Sequence, residues 1–246
     1  MSNVAPYEYD ESQFQSYIDE DLALIRDTII WKEYKRSKND DAICYTHKVD
    51  GDPIWWIKVV ANVTNGIIDN VDDLLDASLK ERQAQWHELY VDGGTIHRYS
   101  DTAEICYFKY SSPIKLVSPR DTCYLKIRRP LSFQSETRDY RGFILSYRSI
   151  SLPCRAPVAH GYVRTVFKGA HLIEELVDGF RYTYIQHADP GGSLPKMFAN
   201  RPQCDIVLKE VEGIRKAIQN PILKPNDLLV HREIGTSDLS NKNIVK

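Results

Sequence analysis

Between Gly94 and His187 the chain offers six consecutive β-rich segments: Gly94–Tyr99, Ala103–Tyr110, Asp121–Arg129, Arg141–Ser149, Gly161–Lys168 and Arg181–His187. Breaker-rich stretches separate them, notably Ser111–Pro119, Pro130–Tyr140 and Leu152–Pro157. Tyr, Val, Ile and Phe suit a pleated, half-buried surface, and Pro, Gly and Ser clusters between such runs mark turns. So long a strand series points to antiparallel pairing.

Helical periods frame it. From Glu11, the residues Phe14, Ile18, Leu22, Ile25 and Ile29 trace one face of a helix that Asp10 and an acidic first turn open. That stripe fades at Trp31–Tyr34, where the charged stretch Lys35–Asp41 begins. Ala42–Val49 and Trp55–Val63 read as strands split by the turn Asp50-Gly51-Asp52-Pro53. Asn70–Ala84 reads as a helix with Val71, Leu74, Leu75 and Leu79 on one face. A last helix is expected from Leu194-Pro195 to about Gln219, with Val207, Val211, Ile214 and Ile218 as its stripe, before Pro221 and Pro225 stop it. The order predicts an α+β protein, a curved antiparallel sheet gripping its C-terminal helix, and such a sheet leaves a cavity beneath the helix. Residues 1–10 are expected as a disordered leader, 11–220 as one domain and 221–246 as a polar tail.

Charge and motifs exclude several functions. The 32 Lys and Arg nearly balance 34 Asp and Glu, which argues against a nucleic-acid partner. Lacking an apolar run of about 18 residues and a signal-like N-terminus, the chain is expected in the cytoplasm. The five cysteines, Cys44, Cys106, Cys123, Cys154 and Cys204, are scattered without a C-x-x-C pair and read as reduced thiols. No two of the seven histidines fall at i, i+4 on a helix, so no metal is expected. Phosphate-cradling and dinucleotide loops are absent, and Gly191-Gly192-Ser193-Leu194-Pro195 lacks the second glycine of a nucleophile elbow. We therefore expect no catalytic residues, no cofactor and no enzyme. The 15 Tyr, 7 Phe and 4 Trp suggest a partly polar aromatic interior.

Four blocks then fall in a familiar order. Ser118-Pro119-Arg120-Asp121 followed by Tyr124-Leu125-Lys126-Ile127-Arg128-Arg129 resembles the central signature of START domains, the steroidogenic-acute-regulatory-related lipid-transfer family. Ser149-Ile150-Ser151-Leu152-Pro153 with Gly161-Tyr162-Val163-Arg164, then Thr183 through Pro195 ending at Asn200, and upstream Trp86, complete the likeness over roughly residues 30 to 220. The resemblance implies a helix-grip fold with an internal lipid tunnel between sheet and C-terminal helix. It also implies a monomeric carrier, peripheral at membranes, that moves one lipid between them without covalent chemistry. Similarity to the phosphatidylcholine-transfer branch makes a phospholipid the expected cargo. A sterol, a sphingolipid or a non-transferring lipid sensor are the alternatives, with an enzyme on a similar cavity fold behind them.

Under that resemblance the lipid-binding candidates are Arg82, Trp86, Arg98, Phe108, Tyr147 and Tyr184. Arg82 stands one residue out of step with an arginine that the phosphatidylcholine branch uses for phosphate. Arg98 lies near a head-group position, either as a buried phosphate fork or as an exposed strand arginine. Lys126 matches the base of sterol-binding relatives, but Tyr107 or Phe108 stands where their acid is expected, and alternation with Cys123, Leu125 and Ile127 turns Lys126 outward. Arg120-Asp121 is expected to fix a loop, and Arg164 either pairs with an inner acid or reaches the ligand. Ile114, Leu116 and Val117, with Lys115 among them, form the expected membrane-docking loop.

Overall fold

A computed structural model describes residues 10–112, 117–134, 138–151, 161–193, 195–196 and 199–219. In chain order these form α1 (Glu11–Arg26), β1 (Lys32–Arg36), β2 (Ala42–His47), β3 (Trp56–Val63), α2 (Ile68–Leu74), α3 (Lys80–Trp86), β4 (Tyr90–Ser100) and β5 (Ala103–Tyr110). They continue through β6 (Arg120–Gln134), β7 (Asp139–Ser149), β8 (Val163–Arg164), β9 (Val166–Leu176), β10 (Gly179–Asp189) and α4 (Asn200–Gln219). The strands build one sheet in the order β1-β2-β3-β10-β9-β7-β6-β5-β4, antiparallel except where the short β8 runs parallel beside the start of β6. Between β3 and β10 the register runs from Trp56 opposite His187 to Val63 opposite Phe180. The N-terminal hairpin is thus stitched to the last strand of the chain.

Helices cover both faces of the sheet. On the outer face α1 lays Phe14, Ile18 and Ile25 against Leu125, Ile127, Ile144 and Leu172. Each such side chain contributes roughly 1.5–3 kcal/mol by leaving water. The register of α1 is fixed by a charge pair: buried Asp21 accepts from both terminal nitrogens of Arg148 at 2.9 and 3.0 Å and from the Ser146 hydroxyl. Asp10 caps the helix, accepting from the Ser12 amide at 3.0 Å. On the inner face α2, α3 and α4 bring Val71, Leu74, Val207, Val211 and Ile214 against an aromatic wall that includes Phe108, Tyr124 and Tyr182. Successive residues of β6 therefore divide, Leu125 and Ile127 under α1 and Tyr124 and Lys126 toward α4.

Several boundaries differ from expectation for local reasons. The first helix stops at Arg26, which leaves Ile29 89% exposed and outside any stripe. The charged stretch after it begins with a strand: β1 pairs with β2 at the sheet edge, where Lys, Glu and Arg protect an open edge from further pairing. The helix expected over 70–84 is two, because the Asp76 carboxylate takes the Ser78 amide at 2.9 Å and turns the chain between Leu74 and Lys80. The strand expected over 161–168 is β8 plus the start of β9, which runs on to Leu176 and carries Glu174-Glu175. α4 begins at Asn200, not Leu194: the buried Asn200 amide donates to Pro53 O and accepts from Trp55 N, both at 3.0 Å, and ties the helix start to the β2–β3 turn. Residues 1–9 of the expected leader and the expected tail 221–246 lie outside the described residues.

Candidate binding cavity

Because Tyr124, Lys126, Tyr147, His171 and Tyr184 occupy the inner face of consecutive strands, the space under α4 is polar as well as aromatic. That space narrows to a cavity of about 70 Å³. Phe108 and Tyr110 reach it from β5, Phe167 from β9, Trp86 and His87 from the end of α3, and Glu210 from α4. The rings brace one another: Phe108 stacks on Tyr124 with centroids 5.8 Å apart, and His171 stacks on Tyr184 at 4.2 Å. Small-molecule pockets span about 300–1,000 Å³, several times more. Admitting a lipid therefore requires the aromatic side chains to rotate or α4 to move outward.

Two polar pairs stand in the wall. On β5 and β6, Glu104 and Lys126 are directly opposed, with Lys126 Nζ 3.0 Å from Glu104 Oε1 and donating to Leu75 O at 2.9 Å. Thr95 donates to the same carboxylate at 2.7 Å. Burial disfavours both charges, but Glu104 and Asp76 outweigh it and hold the Lys126 pKa above its usual range, while Lys126 holds Glu104 below its own. This overturns two expectations. Lys126 is only 6% exposed and faces the cavity, and its acid partner is present. Glu104 shares a face with Cys106, Phe108 and Tyr110 two residues at a time, and the β5–β6 register, not the nearest aromatic, selects the partner. Outward placement fails because α1 already covers the other face.

The second pair joins α3 to α4. His87 Nε2 lies 3.3 Å from Glu210 Oε1, and the His87 ring stacks on Tyr110 at 4.7 Å. Burial pushes His87 down to about 4 and Glu210 up to about 8. Around neutral pH the pair therefore holds a proton on the carboxyl and none in excess on the imidazole, with no net charge. Neither residue carries a sequence signal, since His87 is the residue after a short helix and Glu210 reads as one more charge on an amphipathic one.

Of the residues singled out from sequence, Trp86, Phe108, Tyr147 and Tyr184 come together around the cavity. The Trp86 indole donates to Leu74 O at 3.1 Å and the Tyr184 hydroxyl to Gln186 at 2.9 Å. Arg82 is buried on α3 but is not among the lining residues, and its Nε makes no hydrogen bond among the described residues. Arg98 is not a buried fork: its side chain is 45% exposed, 3.1 Å from Glu104 and 3.9 Å from Asp76. Two carboxylates hold it outside the cavity wall. Of the expected docking loop only the half-buried Val117 is described; Ile114 and Leu116 lie outside the described residues.

The motif charges serve architecture. Arg164 clasps Asp121 with two bonds of 2.7 and 3.0 Å, and Tyr107 donates to the same carboxylate at 2.9 Å. Arg120, expected as the partner of Asp121, instead donates to Pro190 O at 2.8 Å. That contact holds the turn where Gly191 and Gly192 take φ of 67° and 70°, a conformation glycine adopts without strain. No helix among the described residues is long and apolar enough to cross a membrane. Among them no three His, Cys, Asp or Glu side chains are grouped to hold a metal ion.

A family model described as START domain matches residues 23–221. No curated protein matches. Among solved structures, human STARD10 superposes with a TM-score of 0.68 at 20% identity, over 97% of this chain and 87% of that one. The human StAR-related lipid transfer protein 5 gives 0.68 at 18% identity over 85% and 95%. A STAR-related lipid transfer protein fragment from Xanthomonas axonopodis gives 0.62 at 23% identity over 78% and 99%. These likenesses extend to the helix-grip architecture.

Proposed function

The chain belongs to the START domain family, a lipid-binding and lipid-transfer fold, and on that premise we propose that it carries a single phosphatidylcholine-like phospholipid between membranes. The observation that carries this reading is the aromatic cavity between sheet and α4, closed at its polar edge by buried charged groups. Acyl chains leaving water for such walls gain about 0.8 kcal/mol per CH₂, so no covalent step is required. For the phosphate we assign Arg82, which stands behind the cavity wall beside Gln83 and Trp86 and turns into the cavity as it opens; its buried guanidinium has an Nε–H that makes no hydrogen bond among the described residues. A planar fork of donors fits a phosphate in two places at once. In this reading the segment with Ile114, Leu116 and Val117 touches the bilayer while the cavity opens. Phospholipid co-purifying in native mass spectrometry, and fluorescent phosphatidylcholine moving between vesicles, test the reading. Unchanged phospholipid binding in a folded Arg82→Ala protein removes the assigned phosphate site.

One observation favours a second cargo. A buried acid–base pair at Glu104 and Lys126 supplies donor and acceptor to a single hydroxyl, which suits a sterol or a sphingolipid. Sterol in place of phospholipid in the same mass spectrum decides for it.

A further inference from the structure

Glu210 is a carboxyl group on the helix that roofs the cavity, and the groups around it do not hold it as an anion. From α3 it meets His87 Nε2 at 3.3 Å, which burial keeps uncharged. Tyr110 from β5 and Tyr184 from β10 line the same cavity, phenols whose ionisation burial also suppresses. Lys126 and His171 lie further along the wall, where Lys126 is matched by Glu104 and burial keeps His171 neutral. Lys209, the residue before Glu210, and Glu88, the residue after His87, pair with each other at 3.2 Å. A carboxylic acid that keeps its proton differs from every other acid in this wall, because it offers an O–H. Nδ1 of His87 makes no hydrogen bond with another described residue, so no further partner recruits the pair for structure.

We propose that protonated Glu210, placed by His87, donates a hydrogen bond to an uncharged ester carbonyl oxygen of the bound diacyl lipid. The inference rests on the phospholipid reading and deepens it: Arg82 takes the phosphate, and Glu210 takes the acyl linkage. One neutral hydrogen bond is worth roughly 0.5–1.5 kcal/mol net, or about 2- to 10-fold in affinity. Ionised Glu210 loses the donor and sets a charge against the carbonyl, so the gain disappears as pH rises past about 8.

The test compares a fluorescent diacyl phosphatidylcholine with its diether counterpart, which lacks both carbonyls, using the full chain. The unaltered protein is expected to favour the diester 2- to 10-fold at pH 7 and to lose that preference at pH 9. Glu210→Gln retains an N–H donor and is expected to keep the preference at both pH values, whereas Glu210→Leu loses it at both. Lys58 also titrates at about 8, but it lies under α1 on the other face, and the glutamine variant separates the two. Equal binding of diester and diether by the unaltered protein overturns the inference and leaves the phospholipid reading standing. A preference that survives in folded Glu210→Leu, or still falls at pH 9 in Glu210→Gln, overturns it as well. Binding of neither lipid overturns both.

Discussion

Gly213 of α4 and Trp86 of α3 meet backbone to backbone: a Cβ on Gly213 would overlap the Trp86 carbonyl oxygen. A mid-helix glycine costs about 1 kcal/mol against alanine, so its presence here reflects the approach of the two helices. That approach brings His87 and Glu210 together at the cavity wall.

Gly213→Ala is accordingly expected to destabilise the protein although alanine favours helix. Overlap costs about 1–3 kcal/mol, which lowers Tm by roughly 2–12 °C in a domain of this size. Because relief comes from α4 moving off α3, lipid exchange from the variant should also be faster. A Tm equal to or above the parent's contradicts the close packing.

Glu104 and Lys126 form a buried pair whose members are costly alone. Glu104→Gln should cost about 3–5 kcal/mol in denaturant unfolding, because it removes the carboxylate that compensates buried Lys126, whereas Lys126→Met should cost less, because Arg98 still lies 3.1 Å from Glu104. The double variant Glu104→Gln with Lys126→Met should lose clearly less than the sum of the two single losses. Additive single losses would mean that the two do not act as a pair.

Burial raises Glu210 from its usual 4.5 to about 8, so the native state keeps a proton that the unfolded chain releases near 4.5. Stability is then lost as pH rises from about 4.5 to about 8. Glu210→Gln removes that slope. It should be more stable than the parent by on the order of 4 kcal/mol at pH 7.5 and within about half a kcal/mol of it at pH 4.5. A gain of the same size at both pH values would refute the protonated acid.

The histidines act in the opposite direction. Burial lowers His87 to about 4 and His171 to about 3, both from an ordinary 6.5. The unfolded chain takes up these protons first, so stability is intact above 6.5 and is lost as pH falls toward 4 and 3. His171→Gln, which gives up the 2.7 Å contact with the Tyr182 hydroxyl, should be less stable at pH 7 yet show a shallower loss between pH 6.5 and 4. An acid slope as steep as the parent's would place the sensitivity elsewhere.

The strand series, the framing helices and the aromatic character of the interior were readable because period and turn chemistry report them directly. Phe108 lines the cavity, as alternation with Lys109, which prefers water, implies. The same rule misplaced Lys126, and the reason is physical. Alternation separates wet from dry faces only when one face meets water, and here Leu125 and Ile127 are dry because α1 covers them. The polar face is the interior. Glu104 was hidden for the same reason, as an acid beside Cys106 and Phe108 reads as an interruption until β6 sets Lys126 opposite it. Tyr107, one residue from Phe108, points away to hold Asp121. His87 with Glu210, and Gly213 with Trp86, depend on how α3 and α4 dock, which no local window contains.

The pairing of β3 with β10 governs how the chain comes into being. Trp56–Val63 is complete early in synthesis, but its partner Phe180–His187 emerges later, on the order of 10 s at ribosomal speeds. Until then β3, rich in valine, isoleucine and tryptophan, presents an unclaimed edge that invites pairing with other chains. Contacts so distant in sequence also slow closure of the sheet. The sheet therefore closes only after β10 has emerged, and β3 stays open to mispairing for that interval.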